Sequence, residues 1–324
     1  MNRHQDPWVQ MNELGSQRTP FLFIIDFEMV QPLVFPLHAL PDEICFSTPG
    51  MPEPAVNIGG GPLSFTKEPV SFEEYLGAFD IVQAHLLRGN SYLVNLTFPT
   101  PIRTNLSLQE IYQYSQAPYR LLVRDRLAVF SPEPFVIIRD GVIRTYPMKG
   151  TIDSSVLEAE QVILQNIKEM AEHHTTVDLL RNDLSRVADE VTVRRFRYIE
   201  KIRTHEREIL QVSSEISGRL IIDFPENIGF IIKQLLPAGS VSGAPKKRTV
   251  EIIREAEGSP RGYYTGVFGI FNGNALESAV MIRYVEQTPH GLRFRSGGGI
   301  THLSNPAEEY EELIAKVYLP INRS

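Results

Sequence analysis

Residues 262–300 read GYYTGVFGIFNGNALESAVMIRYVEQTPHGLRFRSGGGI, and this stretch decides the kind of fold the chain adopts. Apolar, β-branched and aromatic residues crowd its runs, and the dipeptides Asn272-Gly273 and His290-Gly291 punctuate them. Glycine supplies the positive φ that tight hairpin turns demand, so the runs predict antiparallel strands joined by short turns. FVIIRDGVIRTY at 135–146 repeats the pattern around Asp140-Gly141, and SYLVNLTF (91–98) and RLAVFS (126–131) are strand-like. Single helices fall between the hairpins. FEEYLGAFDIVQAHLLRG (72–89) has helical apolar spacing and a terminal glycine, and NPAEEYEELIAKVYL (305–319) is an amphipathic closing helix. A third helix is expected from about Ser154 to His173, with Val156, Ala159, Ile163, Ile167 and Met170 on one face. Hairpins alternating with single helices predict an α+β protein with a large antiparallel sheet system. Residues 1–67 read as a short N-terminal strand layer, from FLFIIDF (21–27) and PLVFPL (32–37), plus an irregular Pro/Gly-rich linker at 48–65, packed on the same core. Residues 68–324 form the main domain.

Composition narrows the function. A chain of 324 residues with 42% hydrophobic and 22% charged residues is a soluble globular type with room for a sizeable core. The formal charge of −7 disfavours a nucleic-acid or anionic-membrane binder, which needs a broad basic surface. One cysteine, Cys45, permits no internal disulfide and suits a reducing cytoplasm. Neither an apolar leader nor a run near the ~20 residues that span a bilayer is present, so a cytoplasmic location is expected.

Several short patterns carry possible chemistry. Glu169/Glu172 and Glu309/Glu312 are acidic pairs at helical i,i+3 spacing, where like charges share a face and repel. A hard cation such as Mg²⁺ would compensate such pairs, but by spacing alone solvated helix faces are the commoner explanation. His173 and His174 follow Glu172 without the zinc pattern H-E-x-x-H and read as surface or packing residues. RSGGGITHLSNP (295–306) sets three glycines after a strand and before a helix, a place for an anion against bare backbone N–H groups. GSVSGAPKKR (239–248) fails the phosphate-loop spacing, and Pro245 near the first helical position reads as a helix start. In YPMKGTI (146–152) Lys149 stands between Pro147-Met148 and Gly150-Thr151, either as a solvated loop residue or as a pre-aimed amine.

Taken in order, FSPEPF, YPMKGT, AEHHTTVDLLRNDLSRV, GSVSGAPKKR, RGYYTGVFG and SGGGITHLSNPAEEYEELIAK resemble the blocks of the chorismate-utilising enzymes over roughly residues 70–320. The resemblance implies that family's four-layer α/β/β/α fold, two facing antiparallel sheets inside outer helices with the active site between them, and a Mg²⁺-bound chorismate. Lys149 resembles the branch of aminodeoxychorismate synthase component I, where anthranilate and isochorismate synthases commonly carry a small residue. It would attack C2 of chorismate, the C4 hydroxyl would leave, and ammonia would enter at C4 as the lysine departs; a free amine is required. Glu133 matches the general acid for the departing hydroxyl. Glu172 and Glu312 match the Mg²⁺ ligands, with Glu169 and Glu309 as second ligands or water holders. Tyr264, Arg283 and Lys316 match positions that hold substrate carboxylates, Gly298 and Gly299 offer N–H groups, and Thr151 and Gln211 complete the substrate contacts. Arg181, Asn182 and Asp183 are expected to form a structural network nearby.

Two departures qualify the match. Gln211, in LQVSSEISG, replaces the family's usual histidine and cannot carry a proton charge. Leu93 stands where water-using members carry a lysine base, which argues for amination over isochorismate or salicylate synthesis. The expected product, 4-amino-4-deoxychorismate, leads to 4-aminobenzoate and folate. Cys45 lacks the glycine-flanked turn of a glutaminase nucleophile, so ammonia would come from a separate glutamine amidotransferase subunit. Anthranilate synthase component I and a non-catalytic chorismate-binding subunit are the alternatives; binding alone requires neither Lys149 nor Glu133.

Overall fold

A computed structural model describes residues 6–51, 63–203, 208–319 and 321. In chain order the elements are α1 (Pro7–Ser16), β1 (Phe21–Ile25), β2 (Leu33–Pro36), β3 (Ile44–Ser47), β4 (Phe65–Lys67), α2 (Phe72–Leu87), β5 (Leu93–Thr104), α3 (Leu108–Tyr114), β6 (Tyr119–Val123), β7 (Leu127–Ser131), β8 (Pro134–Arg139), β9 (Val142–Thr145) and β10 (Met148–Asp153). There follow α4 (Ala159–Gln165), α5 (Ile167–Leu184), β11 (Ala188–Arg203), β12 (Glu208–Leu220), α6 (Ile228–Leu235), β13 (Gly243–Ala244), α7 (Lys246–Glu257), β14 (Val267–Phe271), β15 (Leu276–Val280), β16 (Tyr284–Thr288), β17 (Gly291–Ile300) and α8 (Pro306–Ala315). Of the expected 48–65 linker, residues 52–62 lie outside the described residues.

The strands form two antiparallel sheets. The first runs β10-β12-β9-β8-β15-β14-β1-β2, with β11 also on β12; the second runs β13-β5-β17-β16-β7-β6-β3, with β4 also on β5. Their inner faces meet in an apolar layer built from Leu22, Ile24, Phe268 and Ile270 of the first sheet and Leu121, Val129 and Tyr284 of the second. Outside the first sheet, α1, α5 and α6 add Met11, Val177, Leu180, Ile228 and Ile232. Outside the second, α2, α7 and α8 add Tyr75, Phe79, Val82, Ile252 and Leu313. This is the expected four-layer arrangement. The unbroken run FLFII follows from it, because Phe21, Phe23 and Ile25 face the helix side while Leu22 and Ile24 face the other sheet. A strand covered on both faces has no polar side to alternate.

Two local expectations change. The helix over 154–173 is instead two helices that break at Asn166, whose backbone is extended and whose side chain accepts from the Glu169 N–H at 3.1 Å. An N-cap inside an apolar-periodic run stops one helix and starts another, which leaves Val156 and Ile167 exposed while Ala159 and Ile163 are buried. The three glycines 297–299 lie within β17, not after it. Among the described residues no helix is long and apolar enough to cross a membrane.

Candidate active site

Lys149 sits on a β-bulge. The β10–β12 ladder pairs Met148 with Ser213 and next Thr151 with Gln211, so Lys149 and Gly150 share the single opposite position of Val212. Such a bulge interrupts strand alternation and re-aims a side chain. Gly150 makes it possible with φ 86°, a region glycine enters without steric cost. A Cβ at Gly150 would stand 3.2 Å from a Glu169 carboxylate oxygen. A Cβ at Gly299 would stand 3.6 Å from Lys149 Nζ and 3.0 Å from Leu93 Cδ1. The amine therefore crosses from the first sheet to the bare backbone of the second, beside an apolar wall.

Glu133 occupies the link between β7 of one sheet and β8 of the other. Its N–H donates to Ser131 Oγ at 3.1 Å and its carbonyl accepts from the Val280 N–H at 3.1 Å, which fixes the turn. Part of its surface is open to the cleft, yet protein packs closely about the carboxyl. That burial pushes its pKa above the usual carboxylate range, opposed by a hydrogen bond from Ser240 and by the charges of Lys149 and Arg283. A carboxyl whose pKa is raised by burial, beside an amine, is equipped to donate a proton.

The second sheet carries the remaining expected groups. β17 pairs with β5 from Leu292 to Ile300 but with β16 only as far as Arg295, so the glycine segment has no β16 partner. The glycines serve close approach rather than unusual φ, because none of the three has positive φ. A Cβ at Gly298 would lie 3.4 Å from Glu309 Oε2, 3.7 Å from Lys316 Nζ and 3.8 Å from Glu312 Oε1. Lys316, just past the end of α8, donates to the Gly297 carbonyl at 2.9 Å and pairs with Glu312 at 2.5 Å. Burial lowers its proton affinity, and Glu312 opposes the shift. Tyr264 is buried against Tyr284, and burial pushes its phenol up to about 12, so it remains a hydrogen-bond donor. Arg283 is held by Tyr318, with Nε 3.3 Å from the phenol oxygen and the guanidinium 5.3 Å from the ring centre.

The carboxylates come as two pairs from two helices. Glu169 and Glu172 lie on α5 and Glu309 and Glu312 on α8, Glu309 being buried. Among the described residues no group of three or more His, Cys, Asp or Glu side chains converges. An all-oxygen donor set of one or two carboxylates, completed by water and substrate oxygens, is nevertheless the kind that suits Mg²⁺.

Of the other expected residues, Gln211 is buried on β12 directly opposite Thr151, whose side chain lies outside the described ones. Asp183 alone of the DLLRND polar trio is buried, paired with Lys246; Arg181 and Asn182 are exposed, and Arg181 pairs with Asp178. The helix turn explains the split, since only one residue in three or four can face inward. His174 is exposed, whereas His173 is fully buried, with Nε2 2.6 Å from Ser214 Oγ. Burial first, then Arg197, His174 and Lys149, depress its pKa to about 4, so its imidazole is neutral near pH 7. Sequence reasoning missed Ser240 and Tyr318. Neither carries a motif signal of its own, because each acts through a contact made across the fold.

The Lys149 amine thus lies between the two sheets, with Lys316 and Arg283 on the side of the second. The chorismate binding enzyme family model matches residues 47–322, and the chain belongs to that family. It is 52% identical over 313 residues to an "Uncharacterized PabA-like protein" of Haemophilus influenzae, covering 96% of this chain and 95% of that one. It is 34% identical to anthranilate synthase component 1 of Aeropyrum pernix (78% of this chain, 61% of that one). It is 33% identical to aminodeoxychorismate synthase component 1 of Klebsiella aerogenes (76% and 57%). The chain thus spans less than two thirds of the length of the last two. The menaquinone-specific isochorismate synthase of Escherichia coli shares the fold, with a TM-score of 0.71 at 16% identity over 95% of this chain and 79% of that one.

Proposed function

We propose that the chain aminates chorismate at C4, as the ammonia-using subunit of an aminodeoxychorismate synthase. The observation that carries this reading is the Lys149 amine on its bulge, aimed between Glu133 and the glycine strand. Lys149 adds to C2, the two conjugated ring double bonds each move one position, and the C4 hydroxyl leaves as water with the proton from Glu133. Ammonia then adds at C4, both double bonds return, and the Lys149 amine is expelled; the ionised Glu133 is left to take up a proton. Arg283, Tyr264, Lys316 and the N–H groups near Gly298 and Gly299 hold the substrate carboxylates. Glu172 and Glu312 are the proposed Mg²⁺ ligands, assisted by Glu169 and Glu309; the ion would neutralise a substrate carboxylate and draw electron density toward it. Leu93 beside the amine supports amination over water addition, because an apolar side chain supplies no base. Ammonia would reach the cleft from a separate glutamine amidotransferase subunit, and the cytoplasm is the proposed location.

The test is purified protein with chorismate, Mg²⁺ and an ammonium salt in mildly alkaline buffer, with products separated by chromatography. 4-Amino-4-deoxychorismate is expected, and a chelator should abolish its formation. Anthranilate and pyruvate would instead assign the chain to the anthranilate branch, and no turnover would leave a binding subunit.

A further inference from the structure

Ser214 is fully buried on β12, the strand between β10 and β11, and it stands where both neighbouring ladders are irregular. On the β10 side its N–H donates to the Pro147 carbonyl at 3.0 Å, and the bulge that carries Lys149 begins directly after Met148, the partner of Ser213. On the β11 side the ladder pairs Arg195 with Glu215 and next Tyr198 with Ser213, so Phe196 and Arg197 share the position opposite Ser214. Arg197 enters the left-handed region there, with φ 46°. A bulge takes backbone groups out of the ladder, and the Arg197 N–H donates to Ser214 Oγ at 2.9 Å instead of to a strand carbonyl.

The same hydroxyl meets a third element. His173 of α5, fully buried, has Nε2 2.6 Å from Ser214 Oγ. Oγ already accepts from Arg197, and among the described residues Nε2 is the acceptor its own proton meets, so the hydroxyl donates to the imidazole. His173 Nδ1 is buried without a hydrogen-bond partner, which makes Ser214 the partner that orients the ring. The Arg197 guanidinium extends the network to α4, donating to the Ile163 and Leu164 carbonyls at 3.2 and 2.8 Å. Ile163 in turn packs back on the first bulge, since a Cβ at Gly150 would lie 3.7 Å from its Cδ1.

Three elements thus meet at one hydroxyl-bearing residue behind Lys149. Because Lys149 and Gly150 share a single opposite residue, their backbone is set by its flanks: Thr151 opposite Gln211 on one side, the Pro147 carbonyl on the Ser214 N–H on the other. We infer that Ser214 is a positioning residue for Lys149: its hydroxyl, engaged by His173 and the Arg197 N–H, fixes the point of β12 from which the bulge aims the amine. This rests on the reading of Lys149 as the nucleophile, and no step of the proposed reaction passes through Ser214 itself.

The test compares wild type with Ser214→Ala, His173→Leu and His173→Gln, the last keeping a polar atom near the position of Nε2. Two readouts use the substrate-free protein and do not depend on which reaction it performs: amide hydrogen exchange over residues 147–152, and reductive methylation of Lys149 relative to the exposed Lys247, both by peptide mass spectrometry. In Ser214→Ala and His173→Leu exchange over 147–152 is expected to rise roughly tenfold, the size of one lost hydrogen bond. Lys149 should be methylated roughly threefold faster or more as the bulge loosens, while exchange in the β5–β17 ladder stays as in wild type. His173→Gln should restore both readouts. With chorismate and ammonia, kcat should fall roughly 10- to 100-fold, as for a nucleophile misplaced by about 1 Å, with KM nearly unchanged. The double variant should lose no more than either single one, since both remove the same bond. Thermal unfolding checks each variant, and His173→Leu carries the comparison if Ser214→Ala does not fold. Unchanged exchange and methylation in the folded variants overturns the inference even if activity drops, and so does a rise spread equally over the whole chain. Failure of the wild type to aminate chorismate, with Lys149 still methylated faster in Ser214→Ala, would overturn the proposed reaction and leave the positioning role standing.

Discussion

The two sheets divide the cleft unequally. The first, with the β7–β8 link at its border, presents the groups proposed to react, Lys149 and Glu133, and both sit on irregular backbone: a bulge and a crossover between sheets. The second presents the proposed holding groups, Gly298, Gly299 and Lys316, on or against a regular β5–β17 ladder. Irregular backbone points one side chain where strand alternation would not, whereas a ladder missing one neighbour offers a row of N–H groups at fixed spacing. The difference teaches that aim and grip were built by different devices, so they should fail differently.

The largest effect is expected for Lys149→Ala. Turnover should fall roughly 10³- to 10⁶-fold, as for loss of a covalent nucleophile, while chorismate affinity by calorimetry stays close to wild type. Near-normal turnover would sink the covalent mechanism, and mass spectrometry after denaturing trapping looks for the adduct. Glu133→Gln comes next, with kcat lower by roughly 10²- to 10⁴-fold. It carries a second signature. A carboxyl whose folded-state pKa is raised binds its proton more tightly folded than unfolded. Its contribution to stability is therefore present below the ordinary carboxylate pKa and is lost as pH rises toward the folded value. Glu133→Gln should accordingly unfold at a higher temperature than wild type at neutral pH and at a similar temperature in acid. Equal melting at both pH values would mean that Glu133 is not strained by burial.

On the gripping side, Gly299→Ala places a methyl group 3.0 Å from Leu93 and 3.6 Å from Lys149 Nζ. It should raise the KM for chorismate roughly tenfold, equivalent to about 1.4 kcal/mol, with a smaller change in kcat. A loss confined to kcat would show that the two sheets do not divide the work as described. The smallest effect is expected for Cys45→Ser, on the edge strand β3, opposite Leu122 and against the cluster that includes it. Ammonia-dependent turnover should be unchanged and stability altered by about 1 kcal/mol or less. Glutamine as sole nitrogen source should support no turnover in either protein; robust glutamine use lost on Cys45→Ser would show that Cys45 is a glutaminase nucleophile.

Much of the architecture was legible because it rests on local signals. Asp140-Gly141, Asn272-Gly273 and His290-Gly291 each fall between paired strands, since the glycine in each has the positive φ such a turn needs. What misled was periodicity without its punctuation. The apolar spacing over 154–173 runs through Asn166, and spacing carries no information on whether an asparagine will cap. The glycine triplet looked like a turn because composition cannot distinguish a need for positive φ from a need for close approach. DLLRND looked like a single polar network, but only Asp183 faces inward.

The amino-acid order alone determined the antiparallel hairpins, the helices that separate them, the family blocks and the candidates Lys149 and Glu133, because turn chemistry, periodicity and motif spacing act over a few residues. Tertiary structure alone decided that the Lys149 amine lies beside the backbone of Gly299, that burial raises the pKa of the Glu133 carboxyl, and that Asp183 and Glu257 are buried in ion pairs with Lys246 and Arg261. Those contacts join segments tens to more than a hundred residues apart, and the burial that shifts a carboxyl depends on everything packed around it. No local pattern encodes either quantity.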